Sequence, residues 1–177
     1  MAKTYTAPTT VSAGDAITAS LYNTYVGTNV ANLIVPPAAA VQRTSNLSSY
    51  PSATDITWQS AAYDTDSMWS AGAPTRLTIN TTGLYILSVS GLVTASPTIN
   101  GCSIGIQRNG VNCFYQYTPF TSNALRFFYS VVCNLTATDY LTVNAEISGG
   151  SGYAIGGGAA LSLDNTRLSA TWIGRTS

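Results

Sequence analysis

The sequence predicts an all-β sandwich or barrel preceded by a single helix. From Ala38 onward apolar residues alternate with period two in short segments, and turn signals separate those segments. Residues 13–37 alone carry a helical spacing. Eight to ten short strands at such intervals define a sandwich or barrel, with no fixed-period repeat and no second globular domain. The chain of 177 residues divides into an N-terminal arm and helix, 1–37, and a β domain, 38–177.

Residues 1–12, with Pro8 and several threonines, are expected to form an extended polar tail. In the helix, Ile17, Leu21 and Tyr25 are spaced by four, and Tyr22, Val26, Val30, Leu33 and Ile34 extend an adjoining stripe. Asp15 or Thr18 supplies the N-cap. Asn23, Thr24, Asn29 and Asn32 make the opposite face polar, and Gly27 costs about 1 kcal/mol relative to Ala. Pro36 and Pro37 stop the helix, because a residue before proline avoids the α region. With this poor intrinsic propensity the helix requires a docking surface.

The β domain opens with a strand in AAAVQRTSN, followed by short strands around Trp58 and Trp69 and a loop at 71–74. GLYILSVSGLV is a strand with Tyr85, Leu87, Val89 and Val93 on one face. GCSIGIQRNGVNCFYQY is a hairpin, since Asn109-Gly110 supplies the positive φ angles of a type I′ turn. In LRFFYSVVCNL, Leu125, Phe127, Tyr129, Val131 and Cys133 share a face. DYLTVNAEISG follows a turn at 136–139, a glycine-rich loop comes next, and TRLSATWIG closes the fold.

Only 8% of residues are charged and the formal net charge is +0, against roughly 25% charged residues in ordinary globular chains. The single lysine, Lys3, and six scattered arginines make no basic patch, which argues against nucleic-acid binding. No segment has the roughly 20 apolar residues of a membrane span, and the polar N-terminus is not a signal peptide. The expected origin is therefore synthesis in the cytoplasm, and the low charge suits life in an assembly.

Catalysis is not expected. There is no histidine, which removes Ser-His-Asp, Cys-His and the usual zinc sets. Asp64 and Asp66, beside Tyr63 and Trp69, are the one carboxylate pair that could cleave a glycoside or hold a hard cation. The competing assignment is a solvated loop. No cofactor or metal site is expected. SGGSGYAIGGGAA lacks the Gly-Lys-Ser/Thr of a phosphate loop. A two-residue loop pairs Arg108 with Val111, which places Cys113 opposite Ile106 and Cys102 opposite Tyr117 and argues against a disulfide between these two. Cys102, Cys113 and Cys133 are expected as buried free thiols.

The order of TINTTGLYILSVSGLV, IGIQRNGV, NLTATDYLTVNAEISGG and TRLSATWIG resembles the trimeric jelly roll of tumour-necrosis-factor ligands and complement heads, over about residues 41–174. At the front end, Gly14, Asp15, Ile17, Thr18 and Ala19, then Tyr22, Asn23, Tyr25, Val26, Asn29 and Leu33, resemble the opening of a family of tailed-bacteriophage virion proteins. Tyr22 and Gly27 stand where that family usually has an apolar and a charged residue.

These resemblances imply a homotrimeric, non-enzymatic protein on the surface of a phage particle, most specifically a capsid decoration protein contacting other virion proteins. Tyr5, Ile17, Leu21, Tyr25 and Leu33 are the expected attachment residues. Among Tyr115, Tyr117, Phe120, Phe127, Phe128 and Tyr129, alternation forces one of the adjacent Phe127 and Phe128 out of the protomer core. The outer one is either covered by a loop or buried against a sister subunit, and the trimer resemblance favours the latter. Tyr115, Tyr117, Phe127, Phe128 and Tyr129 are the expected interface set. The alternative function is a tail or fibre-tip protein binding a host-surface glycan through exposed Tyr, Trp and Asn on loops.

Overall fold

The computed structural model describes residues 16–48, 53–148, 153–157 and 165–175, apart from the side chains of 96–99, 120 and 121. In chain order the elements are α1 (Ala19–Tyr22), a π turn (Asn23–Gly27), α2 (Thr28–Ile34), β1 (Ala38–Gln42), β2 (Leu47–Ser48), β3 (Thr54–Asp55), β4 (Ser60–Asp64), β5 (Leu77–Thr78), β6 (Gly83–Arg108), β7 (Val111–Leu135), β8 (Tyr140–Ser148), β9 (Ala154–Ile155) and β10 (Arg167–Gly174).

The segments expected as several strands between 83 and 135 are two long ones, β6 and β7, joined at Asn109-Gly110. Both turn residues have positive φ, 53° and 80°, as a type I′ turn requires. Register shifts between Thr94 and Ile99, and between Ile99 and Gly101, mark where the pair passes from one sheet to the other. The first sheet runs β4-β1-β10-β6-β7, using the early part of β6 and the late part of β7. The second uses the early part of β7, the late part of β6, and β8, which also pairs β3 and β5. All these pairings are antiparallel. β2 and β9 pair with each other, and β9 joins β6 at Val93 and Thr94.

The core lies between the sheets. Tyr85, Leu87, Val89 and Val93 fill it from the first sheet, Ile104, Ile106, Leu141 and Val143 from the second. Trp58 is fully buried and Trp69 half-buried, but both sit in connecting segments rather than strands. The Trp58 N–H donates to the Pro74 carbonyl at 2.8 Å, a loop-to-loop bond that takes it out of any ladder.

The hairpin register differs by one residue from the expected pairing. Gln107 opposes Asn112, whereas Ile106 opposes Phe114 and Cys102 opposes Thr118. A bulge leaves Cys113 without a partner residue, and its thiol donates to the Ile106 carbonyl at 3.2 Å. All three cysteines are free, Cys102 buried and the other two half-buried. Burial pushes the Cys102 thiol up to about 12; burial and the neighbouring Cys133 do the same to Cys113. Such thiols are poor nucleophiles at neutral pH.

Asn109 ties the hairpin tip to the 136–140 turn. Its N–H donates to the Tyr140 carbonyl and its side-chain oxygen accepts from the Tyr140 N–H, both at 2.9 Å. Its amide donates to Asp139 at 2.7 Å, and Arg108 pairs with the same carboxylate at 2.9 Å. Asn109→Ala removes two side-chain bonds and puts an unfavourable residue at positive φ. We expect a loss of about 2–3 kcal/mol, read from the urea midpoint at unchanged m.

Burial disfavours the Asp139 charge, but the Thr136 N–H, the Asn109 amide and the Arg108 guanidinium outweigh it and hold the carboxyl below its ordinary value. A depressed carboxyl stabilises the fold above its unfolded pKa of about 3.9 and loses that contribution as pH falls through the folded value. Asp139→Asn should therefore lose stability at neutral pH and show a shallower decline below about pH 4, measured by thermal melts across pH.

Candidate functional site

The first candidate surface is the outer face of the first sheet. Alternation in β7 sends Leu125, Phe127, Tyr129, Val131 and Cys133 inward and Phe128, Ser130 and Val132 outward. Phe127 is 6% exposed and Phe128 69% exposed. Phe127 fits inside because it opposes Gly91, where a Cβ would lie 2.8 Å from its ring. Of the expected interface residues, Phe127 is thus a core residue of the protomer. Tyr129 is half-buried, stacked 6.2 Å from Phe127, with its hydroxyl 2.7 Å from that of Thr118.

Around Phe128 the same face presents Val132 opposite Ile86, Ser130 opposite Ser88 and bonded to it at 3.0 Å, and Ile173 at the end of β10. Ile86, Val132 and Ile173 are all exposed. These large apolar side chains, with the Ser88 and Ser130 hydroxyls among them and Arg126 and Arg167 at the Phe128 end, make a surface suited to protein contact.

The second surface is the helix. Thr18 is the cap, its hydroxyl accepting from the Leu21 N–H at 3.1 Å, and Val35 leaves the helix with φ −128° and ψ 80° before the two prolines. No helical residue is buried. The half-buried face of the helix is mixed, with Leu21 and Tyr25 followed by Asn29 and Asn32. Asn29 and Asn32 turn toward the β domain, lining with Leu33, Thr82 and Trp172 a cleft of about 80 Å³. Tyr22, Val26, Val30, Leu33 and Ile34 are exposed. Of the expected attachment residues, Ile17 and Leu33 are exposed, Leu21 and Tyr25 are half-buried, and Tyr5 lies outside the described residues. Among the described residues no helix is long and apolar enough to cross a membrane.

Tyr115 and Tyr117 lie on the outer face of the second sheet, directed away from the face that carries Phe128. Phe114, just before them, packs toward the core. The Phe120 side chain lies outside the described residues. No tryptophan is exposed on a loop, since Trp58, Trp69 and Trp172 all pack on or in the core.

Asp64 organises its own loop. One carboxylate oxygen accepts from the N–H groups of Asp66 and Met68 and the other from Trp69, at 3.2, 2.9 and 2.9 Å. Asp66 is fully buried and accepts from the Thr81 hydroxyl at 2.9 Å. Tyr85 donates to the Thr81 carbonyl at 2.6 Å, and burial, then the Asp66 charge, hold its pKa well above the ordinary value. Among the described residues no group of three His, Cys, Asp or Glu is placed to hold a metal ion.

Two packed antiparallel sheets joined by bent β6 and β7 make this a jelly-roll β-sandwich of the tumour-necrosis-factor and complement-head type, with a short N-terminal helix. Among solved structures, the globular domain of zebrafish complement 1qA protein is similar. It has a TM-score of 0.55 at 12% identity, covering 79% of this chain and 99% of that one. No protein-family model matches the sequence, and no curated protein matches it.

Proposed function

We propose that this chain is a homotrimeric, non-enzymatic structural protein of a phage particle surface, specifically a capsid decoration protein held through its N-terminal arm and helix. The observation that carries the reading is the exposed apolar cluster of Phe128, Ile86, Val132 and Ile173 on the outer face of the first sheet. A lone protomer leaves this face in water, and a second copy of the same face or edge would cover it. The complement-head type of fold supports a three-fold arrangement. The phage assignment is supported by the sequence pattern at Gly14–Ala19 and Tyr22–Leu33. A role outside catalysis is supported by the absence of histidine and by the use of Asp64 to cap backbone N–H groups.

Sedimentation equilibrium of the full chain at micromolar concentration tests the assembly. The expected mass is three times the 18.5 kDa chain. Antibody labelling of particles tests the location. Dense labelling over the head is expected, whereas labelling confined to the tail tip would replace decoration with host attachment.

A further inference from the structure

We infer that the outer face of the second sheet is a binding surface for a neutral saccharide, independent of the trimer reading. Three strands build it. On the late part of β6 the outward residues are Gly101, Ser103, Gly105 and Gln107, mostly small. On one side β7 supplies Asn112, Tyr115 and Tyr117; on the other β8 supplies Asn144, Glu146 and Ser148. The β7 side chains are laid across the sheet. The Tyr115 hydroxyl donates to the Ser103 hydroxyl at 2.7 Å, and the Tyr117 ring covers Gly101 where a Cβ would overlap it. Both tyrosines still keep nearly half their surface in water, 49% and 45%. Their spacing of two residues along one strand sets them about 7 Å apart.

Beside this aromatic floor two asparagines close over Gly105. Gly105 has no side chain, and the amide oxygens of Asn112 and Asn144 lie 3.0 and 3.1 Å from where its Cβ would be. Two amide oxygens converge there, each on a side chain that also carries an NH2 donor. A hydroxyl group from a ligand can serve them, and the Glu146 carboxylate in the adjacent row is a further acceptor. An apolar ring surface flanked by acceptors fits a ligand with C–H faces and many hydroxyls. Among the described residues, Arg108, the arginine of β6, points to Asp139, and Arg76 lies over the Tyr140 ring further along β8. With Glu146, and Asp55 opposite Asn144 on β3, as carboxylates in these rows, a neutral saccharide is favoured over an acidic one.

The test uses the full chain on an immobilised panel of neutral, sialylated and sulfated oligosaccharides, with the mass of each sample measured in parallel. Retention on neutral members is expected, weakened about tenfold or more by Tyr117→Ala and by Tyr115→Ala. Gly105→Ala, whose Cβ would push the Asn112 and Asn144 oxygens apart and leave both rings, should weaken it as well. Retention on no neutral member, retention only on acidic members, or retention indifferent to all three substitutions in folded protein overturns the proposal. The parallel mass reads the trimer separately, so a monomer that binds saccharide defeats the trimer reading alone.

Discussion

Phe128→Asp is expected to leave a folded monomer where the native chain sediments as a trimer. The side chain is already in water, so the protomer has little to lose; its neighbours Arg126, Ser130 and Asn134 are outward and polar or charged. In the assembly the same ring would be buried once per subunit, at about 2–3 kcal/mol each, and the substitution adds the cost of desolvating a carboxylate. Three such sites per trimer weaken association by several powers of ten. The paired control is Phe127→Asp, which places a charge beside Gly91 in the core and should prevent folding altogether. Sedimentation and a thermal melt distinguish the two. A Phe128→Asp protein that remained trimeric at micromolar concentration would show that the subunits meet elsewhere.

Deleting residues 1–35 is expected to leave a stable trimeric β domain that no longer joins particles. The cut spares what the domain uses. The Pro37 carbonyl accepts from the Trp172 N–H at 2.9 Å, and the Pro36 carbonyl accepts from the Thr65 hydroxyl at 2.6 Å. Removed are a helix without a buried residue and the exposed stripe from Tyr22 to Ile34. The melting temperature should change by no more than a few degrees, about what 1 kcal/mol does in a domain of this size. Particles reconstituted with the truncated chain should carry none of it. Normal incorporation would move the attachment to the β domain.

Period and turn chemistry made the fold class and most elements legible. Asn109-Gly110 placed its hairpin because few residue pairs accept two positive φ angles. The register beyond it was not legible. A bulge at Cys113 is an extra residue in one strand, and no local preference distinguishes Cys113 as the unpaired one. The choice between Phe127 and Phe128 had a readable signal in retrospect: the outward set includes Arg126, Ser130 and Asn134, whereas the inward set is apolar from Leu125 to Leu135. Continuity of β6 through Pro97 and of β7 through Pro119 ran against proline's usual place at strand ends. The helix was legible with its cap. Its orientation was not, because the half-buried face combines Leu21 and Tyr25 of one apolar row with Asn29 and Asn32 of the polar one, and periodicity alone does not choose that mixture.

Strand β1 lies between β10 and β4, hydrogen-bonded to both along its length. It is also where the arm enters the domain, and its first residue, Ala38, opposes Thr171 near the end of β10. A pull on the arm along β1 therefore loads two ladders in shear, so that their bonds must yield together rather than open one at a time. A head hung on such an arm in a flowing medium would meet drag with the most resistant geometry that a sheet provides.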